Sequence, residues 1–255
     1  MCILFIARDQ RKDFPLIIAA NRDEFHARPA KASHIWSSHP PIFAGKDLKA
    51  GGTWMGVTRS GRIAALTNIR QPGKERQDAK TRGELVVDYL TSRSSDLQFQ
   101  TALKKRREKY NGFNLLHGTW RDLQVYNNET DGLSSVDPGI HGLSNGALND
   151  PWPKVSRGVS ALSQYCSQSD RLSEDALFSL LKDNTEAPDS ALPDTGVSKE
   201  WEKRLSPIFI QSEEYGTRAS TLILVNRNGN ASWSERTYNN QGRVIDQVTA
   251  HFQFV

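Results

Sequence analysis

Cys2-Ile3-Leu4-Phe5-Ile6-Ala7 and Leu16-Ile17-Ile18-Ala19-Ala20 are two apolar runs joined through a polar stretch over residues 9–13. Each has the length of one strand, and each is apolar at successive rather than alternate positions. A strand with one wet face alternates, whereas a strand covered on both faces does not. The pair is therefore read as a hairpin in the middle of a layered α/β structure. Four polar residues, Asn21-Arg22-Asp23-Glu24, follow at once and are read as the abrupt end of the second strand.

Further along, Gly51 to Val57 and Arg62 to Asn68 read as another hairpin, turned at Ser60-Gly61. Thr81 with Glu84 three residues on has the capping-box spacing ahead of Leu85, Val86, Tyr89 and Leu90. A second helix is expected from about Asp96 to Tyr110, and strands at Phe113–His117 and Leu123–Tyr126. Trp152–Cys166 and Ser173–Lys182 read as helices, and the proline-rich Glu186–Gly196 as a loop. The chain closes with strands at Ser220–Val225, at Ala231–Tyr238 and before Val255. Strands, then helices, then strands again imply one continuous α+β domain over residues 1–255, with no composition shift to mark a boundary.

Composition excludes several classes. The 255 residues are 37% hydrophobic and 24% charged, with mean hydropathy -0.59, an ordinary globular balance. No run approaches the roughly 20 apolar residues of a membrane-spanning helix. No basic stretch precedes the first apolar run, so no secretory signal is read and a cytoplasmic location is expected. The net charge of +4 is a small excess of 33 bases over 29 acids. Its one concentrated run, Lys104-Lys105-Arg106-Arg107, reads as the solvated face of a helix rather than a nucleic-acid site, because no interleaved aromatic set accompanies it. The two cysteines, Cys2 and Cys166, form no C-x-x-C pair, which removes zinc-finger and thioredoxin readings. Cys166 suits packing in its helix. Cys2 stands out by its address, directly behind the initiator methionine.

The residues also carry a resemblance. Met1-Cys2, Ala20-Asn21-Arg22-Asp23-Glu24-Phe25, Gly51-Gly52-Thr53-Trp54, Leu66-Thr67-Asn68, Ser144-Asn145, Pro151-Trp152-Pro153-Lys154 and Tyr215-Gly216-Thr217-Arg218 stand in order across nearly the whole chain. In this the sequence is similar to the NRDE family, also called the transport-and-Golgi-organisation family. That family resembles the cysteine branch of the N-terminal nucleophile hydrolases, with choloylglycine hydrolases and penicillin V acylases among them. The resemblance implies a four-layer αββα sandwich.

It also implies a site. Removal of Met1 leaves Cys2 with both a thiol and a free α-amine. An α-amine of pKa roughly 8 can serve as general base to its own thiol. Asn68 and Asn145 match asparagines that the hydrolase relatives place near the developing oxyanion. Asp23 matches the aspartate that orients their amine. The arginine that lowers the thiol pKa is left open between Arg22 and Arg218. Arg22 sits next to Asp23, and a one-residue shift on a strand reverses the face.

The family is associated with intracellular haem trafficking, and acyl-lipid handling has been proposed for it. The first functional expectation is accordingly a pocket protein that binds and moves haem, or an acyl-lipid-like ligand, with a haem-delivering or haem-accepting protein as partner. The alternative is a C–N hydrolase built on Cys2, which needs no cofactor. As haem ligands the sequence offers His26, His34, His39, His117, His141 and His251, of which His26 lies closest to the motif. No Cys-x-x-Cys-His is present, so covalent haem attachment is not expected.

Overall fold

A computed structural model describes residues 2–38, 40–168 and 171–254. Strands β1 (Cys2–Arg8), β2 (Leu16–Phe25), β3 (Ala30–Ile35), β4 (Ile42–Asp47), β5 (Met55–Thr58) and β6 (Arg62–Asn68) open the chain. Helices α1 (Gly83–Thr91) and α2 (Asp96–Arg106) follow. Then come β7 (Phe113–Thr119), β8 (Asp122–Asn127), β9 (Gly132–Ser135) and β10 (Gly139–Leu143). Helices α3 (Pro153–Gln168), α4 (Glu174–Leu181) and α5 (Lys199–Arg204) precede β11 (Tyr215–Val225), β12 (Asn230–Tyr238) and β13 (Val244–Gln253).

The strands form two antiparallel sheets, ordered β10-β1-β2-β11-β12-β13 and β3-β4-β5-β6-β7-β8-β9. The expected hairpin β1–β2 is central in the first. Alternate residues of β1 enter different cores. Leu4 and Ile6 face the second sheet, with Phe43, Met55, Val57, Ile63 and Trp233. Ile3, Phe5 and Ala7 face α3 and α4, with Val155, Leu162 and Phe178. A third core, including Leu85, Tyr89, Leu103 and Leu115, joins α1 and α2 to the outer face of the second sheet. Three apolar layers between four structural layers make an αββα sandwich, and both faces of β1 are dry as its uniform apolarity requires.

Several expectations are corrected. Strand β2 does not stop before Asn21 but runs on to Phe25, because its polar end meets polar partners described below. The Thr81 capping box does not form: the residue before α1 is Arg82, with no side-chain cap. The reciprocal box closes instead at Ser95 and Gln98, ahead of α2. The basic run ends that helix on its surface, with Arg106 on Asp88 at 2.8 Å and Arg107 on Asp131 at 3.3 Å. Strands β3, β4, β9 and β10 and helix α5 are additions to the sequence reading. No helix among the described residues is long and apolar enough to cross a membrane.

Helix α3 lies hard against β1. A Cβ placed on Gly158 would fall 2.0 Å from the Phe5 ring, so only a glycine permits this approach. Lys154 lies four residues earlier on the same helical face, and Lys154, Val155, Gly158 and Leu162 are its buried stripe. Close docking at Gly158 thus carries a lysine inward to the start of β1.

His117, on β7, is fully buried between Tyr89 and Phe99. Neither ring nitrogen has a hydrogen-bond partner among the described residues. Burial drives its pKa down to about 4. The unfolded chain protonates this histidine below pH ~6.5 and the folded chain does not, so stability is whole above that value and falls as pH drops toward 4. Denaturant unfolding at pH 7 and pH 4 should show His117→Phe losing about 3 kcal/mol less than the parent chain over that interval.

Candidate functional site

Cys2 opens β1 and pairs directly with Arg22 on β2. Both therefore project into the space between the sheets, on the face that carries Leu4 and Ala20. The Cys2 side chain is half-buried and packs on the inter-sheet core. Burial pushes its thiol pKa up, and the neighbouring Asp23 adds to the rise while Arg22 opposes it. Arg22 lies over Trp54, with its guanidinium carbon 4.3 Å from the ring centroid.

Asp23 projects to the other face of β2. Thr217 Oγ1 donates to its Oδ1 at 2.7 Å, and the same hydroxyl accepts from the Ile210 amide at 2.9 Å. Burial raises the Asp23 pKa, against the pull of Lys154 and the Thr217 hydrogen bond. Asn21, on the same face as Asp23, donates to the carbonyls of Leu181 and Ile208 and accepts from Ser220 Oγ at 2.6 Å. These partners are what keep a polar sequence inside a buried strand.

The two asparagines come together through the backbone. Asn145 Nδ2 donates to the Asn68 carbonyl at 2.9 Å. Asn145 Oδ1 accepts from Ser144 Oγ at 3.3 Å, Arg70 Nη2 at 3.3 Å and Lys154 Nζ at 3.4 Å. The Arg70 amide donates to the Asn145 carbonyl at 2.9 Å. Asn145 is thus a fixed joint between the end of β6 and the segment after β10. Asn68 itself lines the cleft with Cys2, and its side-chain amide has no hydrogen-bond partner among the described residues.

Behind this joint lies a buried charge cluster that the sequence reading did not assign. Arg70 Nη1 meets Glu202 Oε2 at 2.5 Å, with both side chains buried. Glu202 Oε1 accepts from the Thr195 amide at 3.0 Å and its hydroxyl at 2.5 Å. The Arg70 guanidinium carbon stands 5.0 Å from the Trp152 ring centroid. Lys154 is fully buried beside these groups. Burial and the Arg70 charge push its pKa down to about 8, opposed by Asp23, Cys2 and Glu202. Lys154 stood inside a quoted motif, but lysine is the type most often left on a surface, so only its place in that motif marked it.

Two further candidates lie elsewhere. Arg218 is the extra residue of a bulge, since Thr217 pairs with Asp23 and Ala219 with Arg22. Its Nη1 donates to the carbonyls of Phe25 and His26 at 3.0 Å and of Arg28 at 3.3 Å, so it ties down the turn after β2. The arginine whose charge acts on Cys2 is Arg22. His26 Nε2 bonds the Ser212 carbonyl at 3.1 Å, and His26 is not among the residues lining the cleft. His34 and His141 bond backbone carbonyls, His117 is in the core, and His251 lies on the exposed edge strand β13. Met1 and His39 lie outside the described residues. Among the described residues no three His, Cys, Asp or Glu side chains gather to hold a metal.

The cleft in front of Cys2 has a volume of about 410 Å³. Its walls include Arg22, Asp23, Glu24, Thr53, Asn68 and Arg82. A second void of about 10 Å³, also lined by Cys2, lies among Leu4, Ala20, Arg22, Met55 and Ala65, room for about one water or methyl group.

Two antiparallel sheets between helical layers define the fold class. The fold is that of the N-terminal nucleophile hydrolases. The chain aligns with conjugated bile acid hydrolase from Clostridium perfringens over 100% of its length and 97% of that chain, at 11% identity and a TM-score of 0.55. A Caenorhabditis elegans ortholog of N-acylethanolamine-hydrolyzing acid amidase matches over 88% of this chain and 92% of its own, at 8% identity and a TM-score of 0.50. By sequence, the family model for Transport and Golgi organisation 2 matches residues 1–240. A mouse homolog of that name is 36% identical over 99% of this chain and 96% of its own, and the Drosophila melanogaster protein is 27% identical over 93% and 92%. The chain belongs to the Transport and Golgi organisation 2 family.

Proposed function

We propose that the chain is a C–N hydrolase that cleaves an amide with Cys2 as N-terminal nucleophile, once Met1 has been removed. The observation that carries this reading is the gathering of Cys2, Arg22, Asp23 and Asn68 on one polar cleft, with Asn145 and Lys154 fixed behind it. The solved structures it resembles in fold are named as hydrolases of conjugated bile acids and of N-acylethanolamines.

In the proposed reaction the Cys2 α-amine takes the thiol proton, and the Sγ lone pair forms a bond to the amide carbonyl carbon. A half-buried thiol whose pKa burial has raised needs such a base. The carbonyl π pair moves onto oxygen, where the Asn68 side-chain amide donates to it. The tetrahedral intermediate collapses, the C–N bond breaks, and the ammonium returns its proton to the leaving amine. Water then gives a proton to the α-amine and attacks the thioester. Its collapse releases the acid, while the thiolate recovers the proton from the ammonium. In this reading Asp23 orients the amine, as the resemblance implies, and Lys154 offsets the Asp23 charge.

The haem and acyl-lipid readings have less behind them. Ligand pockets for such molecules are lined chiefly by apolar side chains. Here the walls carry many charges, the void beside Cys2 is only about 10 Å³, and no histidine among the described residues lines the cleft. Turnover of a panel of N-acyl amides, with Cys2→Ala as control, tests the hydrolase. Haem titration that saturates at a fixed stoichiometry, with no panel member cleaved, would replace it with the carrier.

A further inference from the structure

The walls of the Cys2 cleft are unevenly charged. They hold five cations, Arg22, Arg28, Lys49, Lys80 and Arg82, against three acids, Asp23, Glu24 and Asp47. All three acids are already engaged. Asp47 pairs with Arg28 at 2.7 Å, Glu24 stands 3.8 Å from the same arginine, and Asp23 accepts from Thr217. Lys80 meets Glu84 at 3.3 Å.

Arg22, Lys49 and Arg82 have no carboxylate within ion-pair distance among the described residues. Arg22 lies over the Trp54 ring and pairs with Cys2. Arg82 is held by one bond, from Nη1 to the Gly112 carbonyl at 3.0 Å. A guanidinium carries five N–H donors in a planar fork that matches carboxylate or phosphate. Burial disfavours the Arg82 charge, Glu75 and Glu24 oppose that effect, and the Cys2 position lies within reach of the same field. A neutral apolar ligand covering this wall would strand a desolvated cation, which is costly.

We infer that the cleft selects a substrate with a second, anionic group, a carboxylate or phosphate, which Arg82 and Lys49 receive while the amide lies on Cys2. The inference names the substrate class of the site proposed above and rests on that reading. It makes Arg82 and Lys49 determinants of specificity, with the chemistry left to Cys2.

Alkylation of the full chain by iodoacetate and by iodoacetamide tests it, with rates read at each cysteine by peptide mass mapping. Cys166, half-buried on α3, is the reference in the same molecule. The iodoacetate-to-iodoacetamide rate ratio at Cys2 should exceed that at Cys166 by about tenfold. The difference should collapse in 1 M NaCl, where screening acts within about 3 Å. Arg82→Gln with Lys49→Gln should reduce it severalfold. Protection of Cys2 from iodoacetamide by N-acetylglycine or by inorganic phosphate tells a carboxylate from a phosphate preference. A Cys2 ratio no higher than that of Cys166, a Cys2 inert to both reagents, or protection by neither anion overturns the inference. Alkylation requires no turnover, so the two readings separate. Anion preference without hydrolysis removes the hydrolase alone, and hydrolysis without anion preference removes this inference alone.

Discussion

Glu202→Ala is expected to destabilise the chain by about 3–5 kcal/mol, the cost of leaving one partner of a buried ion pair alone. Glu202 is the acid that meets the Arg70 guanidinium at 2.5 Å. Its other oxygen takes two hydrogen bonds from Thr195, so the substitution frees donors on both sides. It also leaves Arg70 and Lys154, both buried and both bonded to Asn145 Oδ1, with one counter-charge fewer. A shift in melting temperature of roughly 10 °C is the expected scale for a chain of this size. The double variant Arg70→Met with Glu202→Leu should recover most of the loss, since an apolar pair of similar volume replaces buried ions at little cost. A Glu202→Ala chain within about 0.5 kcal/mol of the parent, the range of an ordinary surface change, would mean that the pair does not hold the site together.

Cys2→Ala is expected to remove amide turnover by at least about 10³-fold, the order lost when a covalent nucleophile is deleted. Asn68→Ala should cost about 10²–10³ in kcat with little change in KM, because an oxyanion donor acts on the transition state. Asn145→Ala should behave differently. Its amide is committed to the Asn68 carbonyl and its oxygen to three donors, so stability should fall together with rate. Unfolding midpoints measured beside kinetics separate the two asparagines. Equal losses of stability in both variants would contradict the division of roles.

The sequence made some of this legible and hid the rest for physical reasons. The uniform apolarity of β1 and the start of β2 marked a hairpin dry on both faces, and the structure places it between helices and a second sheet. β3 gave no such signal, because Ala30–Ile35 is half-exposed with no clean alternation. β13 is exposed or half-exposed at every position, so its pairing with β12 rather than burial defines it.

Face parity was the harder problem. Arg22 and Asp23 do lie on opposite faces, as a strand requires. Which of them shares the face of Cys2 depends on the β1–β2 register, and that register pairs Cys2 with Arg22. Arg218 was equally ambiguous, since a bulge at that residue re-aims its side chain to the turn after β2. Arg70 and Glu202 are 132 residues apart, and no local pattern links such a pair. Lys154 is buried because Gly158 lets α3 close on Phe5, a fact of packing rather than of spacing.

The central claim is that Cys2 acts as an N-terminal nucleophile whose own α-amine is the base. Intact mass of the mature protein isolated from cells is the most direct measurement. The account predicts a chain that lacks Met1 and begins at Cys2. A mature chain that retains Met1 and still cleaves its substrate through Cys2 would contradict it.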